Sequence, residues 1–139
     1  MRPALLVIER DNGEGDPSLK CAGDPKPDCF PAPAVIKRVV LIDTASVDAD
    51  GFVRRIGHID LMNIAAPEGK NRAQTVAARG LTGKVTFAFF TMEDVMLVDD
   101  THIMVANDNN LPYSSGRAFD KAADTEFILL RVAEFLAAK

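Results

Sequence analysis

Thr91-Met92-Glu93-Asp94-Val95 and, further on, Val105-Ala106-Asn107-Asp108-Asn109-Asn110-Leu111-Pro112-Tyr113 decide how this chain reads. Both place oxygen-bearing side chains beside apolar, β-branched runs. Asp and Asn are poor strand formers and good turn formers, so a strand through residues 103–106 is expected to break at Asp108 and aim polar groups out of a sheet end. Loops at sheet ends frequently carry function.

On either side the chain reads as a succession of short strands. Residues 85–90, 95–98 and 101–106 are apolar runs, with Asp99-Asp100 as the turn between the last two. Upstream, residues 4–8 end at Glu9-Arg10-Asp11-Asn12-Gly13, whose Asn-Gly step is a strong turn signal. Residues 34–42 are β-branched and continue to Thr44. Asp48-Ala49-Asp50-Gly51 then offers a turn before Phe52-Val53 and the run 56–64. The expectation is an all-β fold of antiparallel sheets. Residues 67–84 interrupt it, and 71–78 suit a short helix stopped by Gly80 and Gly83. At the C-terminus, Asp124-Thr125-Glu126 reads as a helix N-cap, whereas the gapless Phe127-Ile128-Leu129-Leu130 suits a buried strand. A strand to about Val132 followed by a short helical tail is expected.

Length and composition exclude several classes. A chain of 139 residues suits one domain, and 47% apolar residues with a net charge of -4 describe a folded, mildly acidic protein. Lys and Arg lie scattered among acids without a basic stripe, so nucleic acid is not an expected partner. No apolar stretch reaches the roughly 18 residues of a membrane span. The first residues run into Glu9-Arg10-Asp11 too soon for a signal peptide, so no export signal is expected in this sequence. Cys21 and Cys29 sit in a segment rich in Pro, Gly and Asp, residues 13–33. A zinc site would need four closely spaced ligands, and neither His58 nor His102 is near in sequence. A disulfide, implying an oxidising compartment, and two free thiols both stay open.

A faint internal echo aligns Val7-Ile8-Glu9-Arg10-Asp11-Asn12 with Val105-Ala106-Asn107-Asp108-Asn109-Asn110, each followed by a loop and another apolar strand. Equivalent strands of successive sheets suggest blades of a β-propeller, with residues 67–84 as an insertion.

The run Phe87-Ala88-Phe89-Phe90-Thr91-Met92-Glu93-Asp94-Val95, the Asp99-Asp100 turn, Asn107-Asp108-Asn109-Asn110, Gly116-Arg117 and Asp124-Thr125-Glu126-Phe127-Ile128-Leu129-Leu130 together resemble the C-terminal portion of the phytase-like family, "esterase-like activity of phytase". Leu5-Leu6-Val7-Ile8-Glu9-Arg10-Asp11 resembles an earlier motif of the same domain. The resemblance implies a β-propeller, periplasmic or secreted, associated with phosphoester hydrolysis. A closed propeller needs at least four blades of roughly 40 residues, on the order of 160 residues. Residues 1–139 are therefore expected to be a C-terminal fragment of such a domain, about two blades, beginning inside a blade at Ala4. Its open sheet edges would then need missing blades or another copy of the chain as cover.

For chemistry, the candidates are Glu9, Arg10, Asp11, Glu93, Asp94, Asn107, Asp108, Asn109, Asn110, Arg117 and Glu126. Carboxylates and amide carbonyls are hard oxygen ligands, so Glu9, Asp11, Glu93, Asp108 and Glu126 point to calcium rather than zinc. A calcium ion would offset charge on a phosphoryl group and supply the attacking water. Arg10 or Arg117, with Asn109 and Asn110, would hold a phosphorylated small molecule, and Glu93, Asp108 and Arg10 would be the catalytic set. The alternative is a non-catalytic binding or structural module: Asp108-Asn109-Asn110 then only cap a turn, and Glu93 and Glu126 brace blade ends as ion pairs. Convergence of Glu9, Glu93, Asp108 and Glu126 on one mouth would favour the hydrolase, and dispersal the module. The Phe87-Phe89-Phe90 cluster is expected to be core packing. Gly80-Leu81-Thr82-Gly83-Lys84 is not a P-loop, and Ser114-Ser115-Gly116 is not a nucleophile elbow.

Overall fold

A computed structural model describes residues 4–66 and 83–138. The strands are β1 (Ala4–Arg10), β2 (Lys37–Val47), β3 (Val53–Asp60), β4 (Ile64–Ala66), β5 (Gly83–Val85), β6 (Met92–Asp99), β7 (His102–Asn107) and β8 (Phe127–Arg131), followed by a short helix α1 (Ala133–Ala137). They form a three-stranded sheet β1-β2-β3, a two-stranded sheet β4-β5 and a three-stranded sheet β6-β7-β8. Every ladder is antiparallel.

Alternation along the strands sets which side is buried. Ile8, Val39 and Ile59 lie in one register row of the first large sheet, and Val95, Val105 and Ile128 in one row of the second. All six reach the same core, which is centred on Val39, Leu61, Phe87, Phe89, Met92, Ile103, Val105 and Ala123 and closed by Phe135 and Leu136 around α1. The two large sheets thus share a core in the manner of propeller blades, without closing a ring. Phe87 and Phe89 meet edge to face with ring centroids 4.9 Å apart, a geometry their quadrupoles favour. On the outer face of β6-β7-β8, Met96, Phe127 and Leu129 stay exposed.

Boundaries shift where side chains compete for backbone groups. The second strand starts at Lys37 rather than at residue 34, because the Asp11 carboxylate takes the N–H groups of Val35 and Ile36. The expected run 56–64 is split, since Asp60 Oδ1 accepts from Met62 N at 2.9 Å and turns the chain between β3 and β4. Residues 86–90 carry no ladder. Phe87 N donates to Leu61 O at 2.7 Å, and Thr86 O accepts from Arg117. The hairpin turn at Asp48 forms as expected, its Oδ1 accepting from Asp50 N and Phe52 N, with Gly51 at φ 90°. Near the C-terminus the strand reading holds, because Glu126 N is taken by Asn107 Oδ1 and β8 pairs with β7. The expected helix at 71–78 lies outside the described residues.

Gly15 is the tightest backbone position in the loop after β1. It has φ 87°, its N–H donates to Ala88 O at 2.8 Å, and its carbonyl accepts from Ala34 N at 3.1 Å. A Cβ there would overlap the Phe30 ring. Gly15→Ala combines positive-φ strain with overpacking and is expected to cost about 2–4 kcal/mol in urea unfolding. An unchanged midpoint would show that Phe30 does not pack against this glycine.

Candidate functional site

The site begins where β1 ends. Asp11 Oδ2 accepts from Val35 N at 2.7 Å and Ile36 N at 3.0 Å, and Oδ1 accepts from Gly13 N at 3.2 Å. Lys37, fully buried at 0% exposure, places its ammonium 3.1 Å from Asp11 Oδ1 and donates to Asp11 O at 2.8 Å. Burial raises the Asp11 carboxyl, but the two backbone donors and the Lys37 ammonium outweigh it and hold the pKa below its ordinary value. For Lys37 burial dominates and lowers the pKa, against the pull of Asp11. The pair fixes the root of the loop at residues 12–36.

That loop is stapled again at its tip. Cys21 and Cys29 form a disulfide, Cys21 N donates to Phe30 O at 3.0 Å, and Phe30 N donates to Leu19 O at 2.8 Å. Asp16 caps the 3-10 turn Pro17–Leu19 through Ser18 and accepts from Thr86 Oγ1 at 3.0 Å. The loop is thereby tied to the segment after β5, and Phe30 is held in place.

A second loop leaves β7. Asn107, buried, accepts from Glu126 N at 2.7 Å and donates to Asp124 O at 3.1 Å, clamping the start of the loop to the entry of β8. Thr91 Oγ1 donates to Asp108 O at 2.6 Å, and Asp108 Oδ1 accepts from Asn110 N at 3.1 Å. Asn110 has φ 48°, a left-handed conformation that Asn tolerates, and donates to Thr91 Oγ1 at 3.1 Å. Asn109 Oδ1 accepts from Leu111 N at 3.3 Å.

Between the two loops lies a cleft of about 360 Å³. Asn12, Glu14, Phe30, Pro31 and Ala32 line it from the first loop, Asn110, Tyr113, Ser114 and Phe119 from the second, and Phe90 completes the lining. Glu14 links the loops, its two oxygens accepting from Ser115 Oγ at 2.9 Å and Ser115 N at 3.1 Å. Phe30 and Phe119 meet edge to face, with centroids 5.9 Å apart. Asn12 and Asn110, equivalent positions in the sequence echo, both face this space.

The sequence candidates do not all gather here. Arg10 borders the cleft through two lining residues, its guanidinium 5.4 Å from the Phe90 centroid and donating to Asn12 Oδ1 at 3.3 Å. Glu9 instead pairs with Arg55 and, at 3.4 Å, with Arg38 on the first sheet. Arg117 and Glu126 form a two-point pair at 2.9 and 2.7 Å, and Arg117 also lies 4.9 Å from the Phe89 centroid and donates to Thr86 O at 2.7 Å. Glu93 and Asp94 are exposed on β6, and Asp108 is exposed at the head of its turn. His102 contacts Asp99 and Thr101 in the β6-β7 turn, away from the cleft lining. Calcium needs six to eight converging oxygens. Here Glu9, Asp11 and Glu126 spend theirs on Arg, Lys and backbone N–H groups, and no three His, Cys, Asp or Glu among the described residues gather as a ligand set.

Sequence reading passed over Glu14, Phe30, Ser114 and Phe119. The usable signal was the cysteine pair, which closes the loop immediately before Phe30 and turns a Pro- and Gly-rich segment into a fixed wall. Phe90 also departs from the expected core cluster: Phe87 and Phe89 are buried, whereas Phe90 faces the cleft.

Asp11→Asn leaves a buried ammonium without its counter-charge. The expected loss at pH 7 is about 2–3 kcal/mol, below the cost for a fully buried pair because Asp11 keeps 27% side-chain exposure. A lowered carboxyl pKa contributes stability above the unfolded value of about 3.9 and loses it as pH falls through the folded value. The gap between wild type and Asp11→Asn in urea unfolding is therefore expected to narrow steadily from pH 4 downward. A gap constant to pH 2 would count against the pair.

Among the described residues no helix is long and apolar enough to cross a membrane. Searches of curated proteins and of solved structures find no match to the chain. Residues 2–111, which hold β1 to β7, the disulfide loop and the Asn107 to Asn110 turn, match the family model Phytase-like, described as esterase-like activity of phytase, and the chain belongs to that family.

Proposed function

We propose that the cleft binds a small phosphorylated molecule, with Arg10 taking the phosphate. The observation that carries this reading is the meeting of the two echoed strand ends, so that Asn12 and Asn110 face one space and the Arg10 guanidinium contacts two of its lining residues, Asn12 and Phe90. A guanidinium offers parallel N–H donors that match phosphate oxygens, and the Asn amides and Ser114 hydroxyl supply further donors to phosphate or to ring hydroxyls. Membership of the phytase-like family supports a phosphoester as the ligand. The commitment of Glu9 and Glu126 to arginines, with Glu93 and Asp108 exposed, favours binding over catalysis. Hydrolysis of the bound ester, with or without calcium, is the second reading and rests on the family alone. The Cys21–Cys29 bridge supports an exported, oxidising location.

Isothermal titration of the intact chain with a phosphate monoester tests the first reading. Arg10→Ala is expected to weaken binding about tenfold, equivalent to about 1.4 kcal/mol. Equal affinity in the variant would remove Arg10 from the site. Phosphate release from the same ester, measured with calcium and with a chelator, tests the second reading: release abolished by the chelator and restored by calcium supports it, and no release under either condition leaves binding alone.

A further inference from the structure

We infer that the chain associates with further copies of itself head to tail, through two exposed sheet faces that repeat the contact between its own two large sheets. The inference is independent of the ligand reading, and the sequence echo carries it. Extended back by two residues, the echo sets Leu5-Leu6-Val7-Ile8 of β1 beside Ile103-Met104-Val105-Ala106 of β7. Successive side chains of a strand point to opposite faces of its sheet, so these positions fall into two face types. Leu5 and Val7, with Ile103 and Val105, are one type; Leu6 and Ile8, with Met104 and Ala106, are the other.

Inside the chain, unlike types meet. Leu6 and Ile8 of the first large sheet pack into the core that holds Ile103 and Val105 of the second. Each sheet therefore has one face in use and one left over, and the two left over are again unlike. On the first sheet that face carries Leu5, 56% exposed, and Val7, with Ile42 opposite Leu5. On the second, Met96, Met104 and Leu129 form one cross-strand row and Phe127 stands in the next. Met96, Phe127 and Leu129 are each more than half exposed. Adjoining exposed apolar side chains of this kind mark a surface that meets another. A second copy presents to each face the type that this fold already packs against it, so the new contact continues the one between the chain's own sheets. Because the two faces differ, the contact is heterologous: each copy uses its first-sheet face on one neighbour and its second-sheet face on the other.

The test is sedimentation velocity of the intact chain from low to high micromolar concentration, repeated with Leu5→Lys, with Leu129→Lys and with a mixture of the two. Both positions are exposed, and circular dichroism checks that each variant keeps its strands. Wild type is expected to shift to heavier species with concentration, and each variant alone to associate at least about tenfold more weakly. The mixture is expected to form a one-to-one pair, since the untouched second-sheet face of the Leu5→Lys variant meets the untouched first-sheet face of the Leu129→Lys variant. Val7→Thr and Met96→Gln, milder changes on the same two faces, are expected to give the same pattern with smaller shifts and serve if a lysine unfolds its strand. A wild type that stays monomeric throughout would overturn the inference and leave these faces to a different chain or segment. Loss of association in only one of the two variants would overturn it in favour of like faces meeting. Two monomeric variants that do not pair when mixed would overturn it as well.

Discussion

The structure depends on one buried ion pair. Lys37 carries a charge into a place without solvent, and Asp11 is the group that makes this tolerable. An ammonium in such a place costs several kcal/mol unless a carboxylate and further hydrogen bonds meet it. Asp11 does more than neutralise. By accepting from Val35, Ile36 and Gly13 it ends β1, delays the start of β2 and sets the direction in which the intervening loop leaves the sheet. The disulfide then limits the loop's freedom at its far end, and Phe30 arrives against Gly15 and Phe119.

The oxygen-rich residues show how a fold allocates polar groups. Strand ends leave backbone N–H and C=O groups without ladder partners, and buried ones must be satisfied. Asn107 serves this need at β8, Asp108 and Asn109 within their own turn, and Asp60 between β3 and β4. Glu9 and Glu126 are matched to arginines. What remains for a ligand is a different set: two Asn side chains, a braced carboxylate and several rings, with Arg10 alongside.

How much of this was legible in sequence depends on the range of the interaction. The antiparallel strands, the Asp99-Asp100 turn, the Asp48 hairpin and the short C-terminal helix follow from local signals, because alternation and turn chemistry act over a few residues. Where expectation missed, a distant side chain had intervened: Asp11 at residues 35–36, and Leu61 and Arg117 at residues 86–87. The echo of Val7 to Asn12 in Val105 to Asn110 pointed to equivalent strand ends, and the cleft lies where those ends meet.

The sequence by itself determined the strand class, the turn positions and the family, all carried by short-range pattern and by motif order. Only the tertiary structure decided which acids were free. A carboxylate reads the same in sequence whether an arginine stands 3 Å away or not, and that partner is set by the register of strands far apart in the chain. The same holds for the cleft: Glu14 and Ser115 are separated by 101 positions, and their meeting follows from sheet packing rather than from any local preference.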